Sequence, residues 1–181
     1  AHALANCETS TAAFSAAEQS VFDQLNAYRQ QNGQPALKVS PNLSRAAAFM
    51  AEDLLAKGYW SHYEPSGRSP FQRALDCGYP SQNIGENLAI SGSAAGAMTL
   101  WKSSPTHNAN MLNSRWVVVG IGYAGGYWAM DLGAVDDSGT AATTTVTATA
   151  SPTPTPTPTP GPGQPSQIPI KRATLQMIAA E

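Results

Sequence analysis

Apolar residues recur at helical spacing through the first half of the chain and predict helices there. The predicted helices cover residues 15–32, 40–57, 69–76 and 94–103. The first pairs Ser15 with Glu18 in a capping-box pattern, in which each side chain satisfies a free backbone N–H of the helix start. The second and third each open with a serine followed by a proline, which is a favoured way to begin a helix.

Runs of β-branched and aromatic residues follow and predict strands. The segment NIGENLAI predicts one strand, and the segments RWVVVGIGYA and YWAMDLGAV predict two more. Gly125 and Gly126 separate the last two and have the conformational freedom that a tight hairpin turn requires. Helices that come first and then cover an antiparallel hairpin indicate an α+β domain.

Composition divides this chain of 181 residues near Asp137. All tryptophans, tyrosines and phenylalanines lie before residue 130, so only the first part can bury a core. We predict an N-terminal extension, a globular domain, an Ala/Thr/Pro-rich linker and an apolar C-terminal segment at residues 1–14, 15–137, 138–167 and 168–181. Alternating Thr and Pro favour an extended polyproline II linker, with or without O-glycosylation. The apolar segment either docks on a partner or on its own domain, or frays.

Charge and motifs exclude several classes of protein. Ten basic residues against 12 acidic ones give a net charge of −2, which offers little affinity for nucleic acid. No apolar run reaches the roughly 20 residues of a transmembrane helix. No GxxxxGKS/T or GxGxxG motif supports nucleotide binding, and no organic cofactor is expected.

The two cysteines, Cys7 and Cys77, have neither the spacing of a redox pair nor enough companions for structural zinc. The opening AHALAN resembles the region after a signal-peptide cleavage, so we expect export and a Cys7–Cys77 disulfide. Such a bond closes about 70 residues and adds roughly 4 kcal/mol to stability in the chain-entropy model. Two buried thiols, or a Cys7 acylated as in a lipoprotein, are the alternatives.

Three segments together resemble one known family. They are GYWSHYEPSGRSPFQRA, IGENLA and LWKSSPTHNANMLNSRWVVVGIGYA, at residues 58–74, 84–89 and 100–124. In this order they are similar to the CAP superfamily (SCP/TAPS) of cysteine-rich secretory, antigen 5 and PR-1 proteins, in particular its compact bacterial branch. The resemblance implies a three-layer α-β-α sandwich with a small antiparallel sheet, in a secreted or cell-surface protein.

The resemblance also implies a cleft where two histidines meet acidic residues. Carried over by position, these are His62, Glu86 and His107, and Ser104 stands where the family has a second glutamate. Two imidazoles and one carboxylate suit Zn²⁺ or another divalent cation. Alternatively, Glu86 braces the histidines by hydrogen bonds without any metal, or the site supports metal-dependent hydrolysis.

Other polar and aromatic residues are candidates for the surroundings of this cleft. We expect Asn87, Asn108 and Asn110 to satisfy backbone groups there, and we assign no catalytic residue. Four aromatic residues either rim a groove or belong to the core: Trp60, Tyr63, Tyr79 and Trp101. By alternation along its strand, Asp131 is predicted to face the opposite layer as a buried, hydrogen-bonded acid.

Three functions are compatible with these patterns. The first is a secreted binding module at the cell surface with a divalent-metal-capable His/Glu cleft, for which the resemblance implies a lipid, sterol or cell-envelope ligand. The second is a structural subunit of an extracellular assembly that uses residues 168–181 to contact a protein partner. The third is a metal-dependent hydrolase, although the sequence does not favour an enzyme.

Overall fold

The computed structural model describes Cys7 and residues 13–139. The predictions for most of the linker and for the apolar segment 168–181, including its contact with a partner, lie outside the described residues. The domain predicted over residues 15–137 lies within them.

Five helices lie in the described part of the chain, and four of them confirm the sequence-based prediction. They are α1 (Ala16–Gln31), α2 (Pro41–Lys57), α3 (Pro70–Asp76), α4 (Ala94–Ser103) and α5 (Pro105–Met111). A serine hydroxyl accepts a backbone N–H at the start of α1 to α4, and the capping box of Ser15 and Glu18 is formed. The sequence pattern does not predict α5, because PTHNANM lacks an apolar stripe.

Four strands of residues 38–133 form one sheet in the order β1-β3-β4-β2. They are β1 (Lys38–Val39), β2 (Ile84–Ile90), β3 (Val118–Ala124) and β4 (Tyr127–Gly133). The last three are antiparallel neighbours as predicted, whereas the two-residue β1 pairs with β3 in parallel, so the sheet is mixed. Gly125 and Gly126 turn the β3–β4 hairpin at φ 51° and 98°, left-handed values that suit glycine.

Helices cover both faces of the sheet and give the predicted α-β-α sandwich. Strand register aligns Glu86, Gly120 and Asp131, so these three positions share the face on which α2 packs. The opposite face is covered by α1 and α4, whose buried contacts include Val21, Leu25, Met98 and Trp101. Because side chains alternate along a strand, Glu86 and Asn87 point to opposite faces.

Two glycines of β3 allow α2 to lie directly on the sheet. A Cβ at Gly120 would overlap backbone atoms of Leu43 and Ser44, and a Cβ at Gly122 would overlap the backbone of Ala47. The obstructing atoms belong to the helix backbone and cannot rotate away as a side chain could. The absence of a side chain at these two positions therefore sets how closely α2 approaches the sheet.

The predicted disulfide joins Cys7 to Cys77, whose Cα atoms are 5.3 Å apart. Both sulfur-bearing residues are buried and pack against Ala46 of α2. Cys77 directly follows α3, so the bond fastens the end of this short helix to the N-terminal segment and to α2. The cysteines are separated by 70 positions, which corresponds to roughly 4 kcal/mol in the chain-entropy model.

The contact between α2 and the sheet predicts that adding one methyl group at Gly120 lowers the stability of the domain. We expect Gly120→Ala to lower the free energy of unfolding by about 1–3 kcal/mol, because the new Cβ overpacks against helix backbone. The matched control is Gly92→Ala, because a Cβ there meets no atom within 4 Å. Urea unfolding measures both variants, and equal stabilities would contradict the close approach.

Candidate functional site

Glu86 is a buried carboxylate of β2 whose two oxygens each have a short contact. Oε1 lies 2.6 Å from His62 Nδ1, and Oε2 lies 2.6 Å from Arg73 Nη2. Because an ionised carboxylate only accepts hydrogen bonds, Nδ1 of His62 carries the hydrogen in this contact. The structure thus brings together two residues of the predicted cleft and adds an arginine to them. We refer to His62, Arg73 and Glu86 as the His–Glu–Arg cluster.

Arg73 enters the cluster from α3 with a fully buried side chain. Besides its bond to Glu86, its Nη1 donates to the His62 carbonyl oxygen at 3.1 Å and to Glu64 Oε1 at 3.4 Å. A buried guanidinium is tolerated only where negative charge and hydrogen bonds compensate it, and these contacts provide both. One side chain therefore connects α3, β2 and the segment that carries His62.

A second arginine fixes the same segment. Arg68 Nε donates to Glu64 Oε1 at 2.7 Å, and Arg68 Nη1 donates to Asp76 Oδ2 at 3.0 Å. Glu64 accordingly lies between two guanidinium groups, those of Arg68 and Arg73. Two ion pairs, Arg68 with Asp76 and Glu64 with Arg73, thus attach residues 58–69 to α3. This attachment holds the backbone of His62 in place.

Burial and charge oppose each other at Glu86. Burial raises the pKa of Glu86, but the positive charge of Arg73 and the hydrogen bond from His62 outweigh burial, so its pKa lies below the ordinary value. Burial lowers the pKa of Arg73, but the negative charge of Glu86 and the hydrogen bond to it raise this pKa above its ordinary value. The two groups therefore form an ion pair of full charges inside the domain.

Asp131 is a second buried acid beside this pair, which confirms its predicted burial but not its predicted hydrogen bonding. It faces Glu86 across the β2–β4 ladder and is fully buried. Burial and the negative charge of Glu86 raise the pKa of Asp131 well above its ordinary value. No described residue donates a hydrogen bond to either of its oxygens. A protonated Asp131 needs no such donor, because its own O–H can be donated.

His107 lies on α5 with a buried side chain. Its Nδ1 is 2.8 Å from the hydroxyl of Ser104, the residue that replaces the second acid of the family pattern. Asn87 Nδ2 donates to the His107 carbonyl oxygen at 3.1 Å, and Asn87 Oδ1 accepts from Asn110 Nδ2 at 2.9 Å. Asn87 thus satisfies a backbone group as expected, while Ser104 serves the imidazole instead of capping α5.

These contacts bear on the predicted metal ligands His62, Glu86 and His107. Among residues 13–139, no three His, Cys, Asp or Glu side chains are arranged so that they could hold a metal ion. Both oxygens of Glu86 are already bonded, one of them to a guanidinium, which does not fit a carboxylate that ligates a cation. The imidazoles fit better, because each has its Nδ1 held by an oxygen-bearing partner, an arrangement that orients zinc-binding histidines. The three-ligand set stays a prediction.

The four aromatic candidates are divided between core and surface. Tyr79 and Trp101 are buried and belong to the core. Trp60 is half-buried against the cluster of Met50, Leu54 and Leu88, with its ring centroid 6.2 Å from that of Tyr127. Tyr63 is 55% exposed and directly follows His62. Only Tyr63 and Trp60 are therefore placed where they could contact a ligand.

Sequence reasoning missed Arg73, the most buried charge of the cluster. It lies eleven positions after His62 within a segment that carries the family resemblance. An arginine on a short helix is usually exposed, so nothing in its local pattern marks it as buried. The available signal was indirect: a buried Glu86 requires a positive partner, and α3 contributes the nearest one in the fold.

The match to a family model covers more than half of the chain. The family is described as CAP, the cysteine-rich secretory protein family, and its model matches residues 22–130. The chain belongs to this family. The CAP domain is also 32% identical over 117 residues to the uncharacterized protein YkwD of Bacillus subtilis (strain 168). That match covers 63% of this chain and 46% of the relative, so the chain spans about half the length of the relative it matches.

Solved structures support the CAP fold. An extracellular protein of Bacillus anthracis that contains an SCP domain matches with a TM-score of 0.62 at 24% identity, covering 64% of this chain and 39% of that one. An outer surface protein of Borrelia burgdorferi matches with a TM-score of 0.56 at 17% identity, covering 63% of this chain and 87% of that one. At these identities the likeness concerns the arrangement of helices and strands in the CAP domain.

Replacing Asp131 tests its protonation. Folding raises the pKa of Asp131, so the folded protein keeps a proton that the unfolded chain releases above a pH of about 3.9. This group therefore stabilises the fold at low pH and loses that contribution as the pH rises, by at most about 1.4 kcal/mol per pH unit.

The Asp131→Asn variant lacks this pH-dependent loss. We expect its free energy of unfolding to rise relative to the unaltered protein as the pH increases from about 5 to about 8. Urea unfolding at several pH values within this range measures the difference. Parallel pH profiles of the two proteins would contradict a protonated Asp131.

Proposed function

We propose that this CAP protein is an extracellular or cell-surface binding module that presents His62 to its ligand. The observation that carries the proposal is the gradient of exposure in the His–Glu–Arg cluster. The His62 side chain is 11% exposed, whereas Glu86 and Arg73 are 2% and 0% exposed. Two buried, mutually neutralising charges thus orient one imidazole at the edge of solvent.

The charge state of Glu86 favours binding over acid–base catalysis. A general acid or base works best when its pKa lies near the operating pH. The pKa of Glu86 is instead lowered, and both of its oxygens are held by His62 and Arg73. Such a carboxylate is suited to fixing the orientation of His62 and poorly suited to exchanging protons with a substrate.

Aromatic surface next to His62 supports an amphipathic ligand. Tyr63 is among the most exposed large side chains of the described residues, and Phe71 at the start of α3 is also exposed. An imidazole next to an exposed ring such as that of Tyr63 can combine a hydrogen bond with apolar contact. This combination suits the lipid, sterol or cell-envelope class of ligand that the family resemblance implies.

Two observations support a location outside the cytoplasm. The Cys7–Cys77 disulfide is typical of proteins in oxidising compartments. The similar proteins of Bacillus anthracis and Borrelia burgdorferi are described as an extracellular protein and an outer surface protein. Each helix of the described residues is too short or too polar to cross a membrane.

Binding to envelope material tests the proposed function. The protein is sedimented with vesicles of phosphatidylglycerol and phosphatidylcholine and, in parallel, with purified bacterial cell walls. We expect His62→Ala and Tyr63→Ser to weaken binding to the preferred material by about tenfold, the effect of losing one central contact. Val135→Ser removes a comparably exposed apolar side chain after β4 and is the control. Equal binding of all four proteins would contradict the proposal.

The divalent cation is a further part of the proposal. A cation that binds the folded protein alone raises its stability, by about 2.7 kcal/mol when the cation is present at 100 times its Kd. We expect Zn²⁺ to raise the thermal midpoint of metal-free protein and the double variant His62→Ala/His107→Ala to lose this rise. A rise that is unchanged in the double variant would place the metal elsewhere, and no rise in the unaltered protein would exclude Zn²⁺ binding at this site.

A further inference from the structure

The position next to Glu86 Oε2 is taken by a charge that belongs to the protein itself. Arg73 Nη2 lies 2.6 Å from this oxygen. The Arg73 side chain is 0% exposed and the Glu86 side chain 2% exposed. A metal ion ligated by Glu86 would likewise supply positive charge that neutralises this carboxylate. The guanidinium thus performs the electrostatic task that a divalent cation would perform at Glu86.

We propose that Arg73 is the built-in cation of the His–Glu–Arg cluster and sets how weakly the site binds a divalent metal ion. This inference deepens the proposed function, because it concerns the metal preference of the same site. It makes Arg73 a positioning residue: it acts on a bound metal by controlling whether Glu86 is available as a ligand.

Arg73 competes with a metal in two ways. It occupies Oε2, so that a metal at this oxygen must first displace a charge-assisted hydrogen bond. Its permanent positive charge also repels any further cation near Glu86, and this repulsion is strong where solvent is excluded. Both effects lower the affinity of the site for metal and leave the hydrogen bond between His62 and Glu86 intact.

The contacts of Arg73 with the loop keep it from moving aside. Nη1 donates to the His62 carbonyl oxygen at 3.1 Å and to Glu64 Oε1 at 3.4 Å. Glu64 is in turn held by Arg68 at 2.7 Å. Displacing Arg73 from Glu86 would therefore also disturb its contacts with the His62 carbonyl and with Glu64, which makes its occupation of the site a stable feature of the fold.

Three substitutions separate charge from packing. Arg73→Met keeps a long side chain and removes the charge, whereas Arg73→Lys keeps the charge. Arg73→Gln removes the charge and retains a donor for the His62 carbonyl, so it maintains the comparison if the methionine variant does not fold. Arg68→Met is the matched control, because it removes a neighbouring, partly buried guanidinium that does not contact Glu86.

Calorimetric titration with Zn²⁺ and with Mn²⁺ measures the metal affinity of the unaltered protein and of these variants. We expect Arg73→Met and Arg73→Gln to bind metal about 10–100-fold more tightly, the range by which groups next to metal ligands change affinity. Arg73→Lys should keep the affinity of the unaltered protein, and Arg68→Met should gain clearly less than the neutral variants at position 73, because Arg73 keeps its direct contact with Glu86. If Arg73 had only a structural role, these variants would change the free energy of unfolding without any gain in metal affinity.

Two results would overturn the inference. One is a neutral variant at position 73 that binds metal no more tightly than the unaltered protein, and the other is an equal gain in Arg73→Lys. Adding His62→Ala and His107→Ala to Arg73→Gln provides the remaining check, because a gain that survives in that protein places the metal elsewhere and also overturns it. Tight binding by the neutral variants with none by the unaltered protein supports the inference, even though it ends the proposal that the native site binds metal.

Discussion

The direct contact of α2 with β3 is the constraint on which the rest of the domain depends. At Gly120 and Gly122 no side chain separates the helix backbone from β3, and Leu88, on the face that the helix covers, is fully buried. Glu86 and Asp131 lie on that face, in register with Gly120. A carboxyl group in such surroundings must be paired with a positive charge or hold a proton. The close packing therefore determines the chemistry of the site as well as the stability of the fold.

The two acids meet this requirement in different ways. Glu86 stays ionised because Arg73 reaches it from α3, whereas the pKa of Asp131 is raised because burial and the charge of Glu86 both oppose its ionisation. A single guanidinium thus suffices for two adjacent carboxyls. The charges of Glu86 and Arg73 cancel inside the protein. The pair acts on His62 through the hydrogen bond from Nδ1 to Glu86, which orients the imidazole.

Sequence reasoning predicted the elements that local chemistry specifies and missed those that tertiary contacts specify. Serine caps, the two glycines of the hairpin and the β-branched runs locate α1 to α4 and β2 to β4 correctly, because each signal acts over a few residues. The helix α5 begins with the same serine and proline as α2 and α3. Its sequence is polar, however, and lacks the apolar residues at helical spacing that would predict a helix. The burial of Arg73 and its contact with Glu86 depend on where α3 packs against β2, which no local pattern of the chain encodes.

The placement of Glu86 and Asn87 on consecutive positions of β2 makes the register of this strand critical. β2 is an edge strand that pairs only with β4 in the sheet of residues 38–133. A slip of one residue would exchange the two faces, turning Asn87 towards Arg73 and Glu86 towards α5. Such a mispaired chain would leave a buried guanidinium without its carboxylate and remove the support of both histidines at once. A domain with a mispaired β2 would therefore be unstable. As a result, a chain that folds stably also has its site correctly formed.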